Sequence, residues 1–80
     1  MQVSLTGDLR SAANGAENID IEAETIRELI SKLLEAYPEM QEHMDAGIAV
    51  SIDGEIYRDS HAKKIPTNSE VFLLPRLQGG

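Results

Sequence analysis

Few groups in this sequence can do chemistry, and their spacing eliminates most reactions. There is no cysteine, so a thiol nucleophile, a disulfide framework, a zinc knuckle and an iron–sulfur cluster are excluded. Serines and threonines are scattered, with no base beside any of them in the pattern an activated hydroxyl requires. His43 falls among acids and His61 in a polar stretch. As a metal pair they would need to be brought together with carboxylates, and two solvated surface histidines are the simpler reading. The acids between residues 17 and 45 lack the D-x-[DN]-x-[DN]-G spacing of a calcium loop, and Met40 with Met44 reads as core filler or a soft surface rather than a cofactor box. No metal site and no bound cofactor are expected.

What remains is the end of the chain, Gly79-Gly80. With glycine at about 7% of residues, two terminal glycines arise by chance in roughly one chain in 200, so context must decide. The context is a run of apolar residues, Val71-Phe72-Leu73-Leu74, then Pro75 to stop strand pairing, then a short tail. Six residues from Pro75 extend at most about 20 Å, enough to enter a partner's active site. Residues without Cβ pass through a channel too narrow for side chains and accept unusual dihedrals. A free carboxylate is inert toward acyl transfer until its oxygen becomes a leaving group. Such a tail is therefore a substrate for an ATP-using partner, and its owner is a passenger rather than an enzyme.

The elements that must position this tail are legible from periodicity. Residues 2–6 alternate with Val3 and Leu5 on one side, as a half-buried strand does. Residues 10–17 read as a small, polar loop with a turn at Asn14-Gly15. Residues 18–23 alternate again with Ile19, Ile21 and Ala23 inward, which predicts a hairpin with a long loop. Thr25 with Glu28 makes a capping box. The apolar positions Ile26, Leu29, Ile30, Leu33, Leu34 and Tyr37 then mark one stripe of a helix, with Glu28 and Lys32 spaced for an ion pair on its other face. Pro38 opens a second short helix over residues 38–45, closed by Gly47. Asp53-Gly54 predicts a tight hairpin between strands at 48–52 and 55–58. Residues 71–74, apolar throughout, predict a strand buried on both faces. The order gives one domain, residues 1–80, of α+β class: a mixed four- to five-stranded sheet with one main helix packed across it and a flexible tail from about residue 76 to 80.

Charge restricts the partners. Seven basic against fourteen acidic side chains leave −7, which argues against nucleic acid and anionic lipid. Residues 17–45 carry nine acids and two bases, so that segment holds the whole excess and the rest is neutral. The neutral part, with the last strand and tail, is expected to face the partner, while the acidic part keeps the free protein soluble. No apolar run approaches the roughly 20 residues of a membrane span, and the first residues lack a signal-peptide pattern, so the reading is cytoplasmic.

These residues resemble a known family. The element order with a Gly79-Gly80 end is similar to the ubiquitin-like β-grasp fold. The stretch Ile48-Ala-Val-Ser-Ile-Asp-Gly-Glu, then Ser69-Glu70-Val71-Phe72-Leu73-Leu74-Pro75 and the terminal glycines, resemble the ThiS/MoaD sulfur carriers. Leu9-Arg10 resembles a pair common in the MoaD branch, and the additional helical turn after Pro38 also looks closer to the molybdopterin synthase small subunit. The sequence departs from the family pattern at Asp53-Gly54, where Asn-Gly is usual, at Thr67-Asn68-Ser69 in place of Asp-Gly-Asp, and at Arg76 in place of a second proline.

The resemblance implies that Gly80 is adenylated by an activating enzyme, with ATP consumed by that partner, and converted to a thiocarboxylate with sulfur from a donor. The sulfur would then pass to an acceptor bound by a larger synthase subunit, in the MoaD branch a molybdopterin precursor. Gly79 would keep the tunnel passage narrow. Phe72, Leu74, Pro75, Arg76, Leu77, Gln78 and Arg10 would contact partners, with Pro75 and Arg76 aiming the tail and Leu77 anchoring it. Simple core packing is an equally good reading of Phe72. Other readings are a modifier conjugated to lysines, a sulfur carrier for thiamine, tRNA thiolation or cysteine, and a plain interaction domain with an incidental tail.

Overall fold

The computed structural model describes residues 1–58 and 60–75 of the chain. The expected flexible tail at 76–80 lies outside the described residues. The elements run β1 (Gln2–Leu5), α1 (Leu9–Ala12), β2 (Asn18–Asp20), α2 (Ile26–Ala36), α3 (Met40–Ala46), β3 (Ile48–Ile52), β4 (Glu55–Tyr57) and β5 (Val71–Pro75). They form one five-stranded sheet in the order β2-β1-β5-β3-β4. β1 and β5 pair in parallel, and the other neighbours are antiparallel. The sheet is thus mixed, as expected, with β5 at its centre.

Helix α2 forms where the capping box placed it. The Thr25 hydroxyl accepts from the Glu28 amide at 3.2 Å, and the Glu28 carboxylate accepts from the Glu24 amide at 2.8 Å. Loop carbonyls take the next two free amides: Ile26 donates to Lys63 at 3.0 Å and Arg27 to His61 at 2.9 Å. The first turn is therefore satisfied, and the loop after β4 is tied to the N-terminal end of the helix. The expected Glu28–Lys32 ion pair does not form: Glu28 is used by the cap, and the Lys32 ammonium donates to the Glu22 carbonyl. Such a surface pair is worth only a few tenths of a kcal/mol, so backbone partners displace it easily.

The stripe of α2 buries Ile26, Leu29 and Leu33, with Ile30, Leu34 and Tyr37 partly covered. It lies against Val3, Leu5, Ile19, Val50, Ile52, Val71 and Leu73, the core-facing row of the sheet. Met40 of α3 is fully buried, which confirms it as core filler. The polar loop expected at 10–17 is instead partly helical. Leu9, Ala12 and Ala13 of α1 and its C-terminal end are buried in the same core, because small alanines let this short turn lie close to the sheet.

Left-handed backbone shapes the turn expected at Asn14-Gly15 (φ 59° and 84°) and the two turns beside β5. Asp53 (φ 50°) and Gly54 (φ 90°) make the β3–β4 turn, as the sequence predicts. Asn68 (φ 66°) occupies the turn before β5. The departures from the family pattern at these sites thus retain residues that tolerate positive φ. Asp53 also ties the hairpin to the start of β5: its amide donates to the Glu70 carbonyl at 2.9 Å and its carboxylate accepts from the Glu70 amide at 2.8 Å. Asp53→Ala is expected to lower unfolding stability by about 1–2 kcal/mol, through left-handed strain and the lost acceptor. Asp53→Asn, which tolerates the conformation and retains an acceptor, should lose less than half of that in urea denaturation.

Candidate functional site

The site is built on β5 and the strands beside it. Alternation sends Val71 and Leu73 into the core, while Phe72 and Leu74 point to the opposite face and are only half-buried. This corrects the expectation of a strand buried on both faces. The helices cover one side of the sheet, and no described element covers the other.

An uncharged row crosses the open face, with the exposed Asp20 beside it at the β2 edge. Register places Phe72 between Ser4 of β1 and Ser51 of β3, and Ser51 opposite Ile56 of β4. Ala49 stands opposite Leu74. At the β2 edge the Ser4 hydroxyl donates to Asn18 Oδ1 at 2.8 Å. The row Asn18, Ser4, Phe72, Ser51, Ile56 thus crosses all five strands without a charge. Ile56 is 56% exposed, an apolar side chain that the core does not use. The sequence reading missed it, although the Asp53-Gly54 hairpin fixes Ser51 and Ile56 as partners and so places both outward.

Pro75 ends β5, opposite Ile48. At this end the Thr6 hydroxyl donates to the Leu73 carbonyl at 2.9 Å, and Arg10 Nε donates to the Leu5 carbonyl at 3.1 Å. Four of the expected site residues, Phe72, Leu74, Pro75 and Arg10, are therefore on the open face or at the sheet end from which the tail departs. Arg76, Leu77, Gln78, Gly79 and Gly80 lie outside the described residues.

The titratable groups with displaced affinities lie elsewhere. The Met1 ammonium is held above its ordinary value by the hydrogen bonds it donates to Glu22 and Asp20, and the Tyr57 phenol is raised by its hydrogen bond to Glu55. His43 lies on α3, packed near α1, and His61 is exposed at the N-terminal end of α2. Among the described residues no three His, Cys, Asp or Glu side chains gather as a metal site, and no helix is long and apolar enough to cross a membrane.

The sequence model of the ThiS family matches residues 3–80. The chain belongs to the ThiS family. Members of this family are small carrier proteins rather than catalysts. No curated protein sequence matches the chain. Among solved structures, the chain is similar to one in the Amycolatopsis orientalis BexX/CysO complex, at 18% identity and a TM-score of 0.77, covering 99% of this chain and 98% of the other. It is similar to one in the complex of subunits 1 and 2 of the molybdopterin-converting factor from Helicobacter pylori, at 23% identity and 0.71, covering 99% and 96%. It is also similar to the small archaeal modifier protein 1 from Methanosarcina acetivorans, at 22% and 0.73, covering 99% and 94%. These likenesses establish the ubiquitin-like β-grasp fold for this ThiS-family chain.

Proposed function

We propose that this ThiS-family chain is a sulfur carrier whose terminal carboxylate, on Gly80, is activated and thiolated by partner enzymes. The observation that carries the reading is the meeting of an uncharged row on the open sheet face, centred on Phe72 and Leu74, with the sheet end at Pro75 from which the tail departs. A partner can grip the face while the tail enters its active site. The first step breaks the bond between the α- and β-phosphorus groups of ATP: a Gly80 carboxylate oxygen attacks the α-phosphorus and pyrophosphate leaves. Hydrosulfide then attacks the acyl carbon, AMP departs with the carbon–oxygen bonding pair, and a thiocarboxylate remains.

The acceptor we favour is the molybdopterin precursor held by a larger synthase subunit. Leu9-Arg10 at the start of α1, and the additional helix α3, support it as features by which the chain resembles the MoaD branch. A second reading, conjugation to lysine amines, is supported by the likeness to an archaeal modifier protein. Location in the cytoplasm, where ATP and reduced sulfur are at hand, belongs to the same proposal.

Intact mass after incubation with ATP, a sulfide donor and the host's activating enzyme tests the carrier reading. The expected gain is that of one oxygen replaced by sulfur at Gly80. No gain with an enzyme active on its own carrier would overturn it, and isopeptide adducts in its place would establish the modifier.

A further inference from the structure

We propose that Gly7 is a positioning residue for the tail: its missing side chain is the seat of the Pro75 ring, which fixes the point from which Gly80 is presented. This rests on the carrier reading above. The parallel ladder pairs Leu5 with Leu73, and two residues further the same register brings Gly7 abreast of Pro75. Proline has no amide to donate, so Pro75 needs another restraint on this side. Two are present. The Thr6 hydroxyl reaches the Leu73 carbonyl at 2.9 Å, prolonging the link between the strands beyond their last paired residues. The Gly7 backbone lies against the proline ring so closely that a Cβ there would stand 3.1 Å from Pro75 Cγ and 3.7 Å from Cδ.

Gly7 also has φ 56°, as the chain turns from β1 into α1. Backbone conformation alone does not account for the contact. Gly15 and Gly54 also have positive φ, yet a Cβ at either would meet nothing within 4 Å. Of these three glycines, only Gly7 combines the conformation with a close neighbour, and that neighbour is the last described residue before the tail. A carboxylate five residues beyond Pro75 is at most about 17 Å away, so with the tail extended in a partner's channel a tilt of about 3° at the ring would move it by about 1 Å, part of which the tail's own freedom recovers. Misplacement by about 1 Å can cost on the order of 10²-fold in a reaction that depends on alignment.

The test is a double-mutant cycle between Gly7→Ala and Pro75→Ala, with Gly7→Asn as a further variant. ATP–pyrophosphate exchange by the host's activating enzyme is read alongside urea denaturation. Gly7→Ala and Gly7→Asn are expected to lower kcat about 10-fold with KM within about 2-fold, since the open face is untouched. Asparagine tolerates positive φ better than alanine, so the two should differ in stability but agree in kcat. In the Pro75→Ala background, where the ring is gone, Gly7→Ala should cause no further fall in kcat. An unchanged kcat, a loss that follows stability across the two variants, or an equal loss in both backgrounds would overturn the assignment while leaving the carrier reading intact. Absence of exchange with the unaltered chain would overturn the carrier reading and this proposal with it.

Discussion

Deleting Gly80 is expected to lower activation by at least about 10²-fold while leaving the fold untouched. The shortened chain still ends in a glycine carboxylate, so the chemistry of the nucleophile is the same. Only its reach changes, by about 3.5 Å, and a reaction that requires an oxygen in line with the α-phosphorus loses on the order of 10²-fold for smaller displacements than that. The buried core among the described residues spans Val3 to Leu73. The urea midpoint should therefore be unchanged. Intact mass and pyrophosphate exchange measure activation, and circular dichroism with urea titration measures the fold. Full activity in the deleted form would mean that activation does not depend on the reach of the carboxylate, and the assignment of the reaction to Gly80 would fall.

Much of the scaffold was legible because local rules and the fold agree. The capping box at Thr25 and Glu28, the α2 stripe, the short helix after Pro38 and the Asp53-Gly54 turn each follow from chemistry within a few residues. What local patterns could not convey was how many layers cover the sheet. Val71-Phe72-Leu73-Leu74 reads as buried on both sides because a run of apolar residues carries no record of which face lacks a covering helix. The information lay in the partners: Ser4 and Ser51, which flank Phe72, are poor core residues. They disclose the open face only once register is known. Helix α1 escaped for a different reason. Leu9, Ala12 and Ala13 have helical spacing, but four residues are too few for periodicity to register, and helices this short owe their existence to packing.

The role of Gly7 was not legible at all, since the proline it supports is 68 positions away in sequence. A glycine after a strand reads as an ordinary turn. Only the parallel pairing of the first and last strands turns it into part of the tail's foundation.

The same central strand should separate stability from binding, residue by residue. Leu73 is fully buried between β1 and β3, and Leu73→Ala is expected to cost about 2–5 kcal/mol. An 80-residue domain has roughly 4–12 kcal/mol in total, so this variant should lose a large share of its folded stability in urea. Phe72→Ser with Leu74→Ser alters the neighbouring positions on the other face. Both side chains are already half in water, and serine is the residue that stands beside Phe72 on each adjoining strand, so the double variant should remain folded. Its KM for activation should rise by about 10-fold or more, because half-exposed aromatic and aliphatic groups at the centre of a docking face carry a large share of binding energy. Steady-state exchange kinetics at saturating ATP, with carrier concentration varied, would measure this. An unchanged KM would show that the open face is not the docking surface. The contrast with Gly7 is the sharper point: a defect of the face appears in KM, whereas a defect at the root of the tail appears in kcat. The two meet at successive residues of β5, Leu74 and Pro75, yet act on different steps, gripping the carrier and delivering its carboxylate.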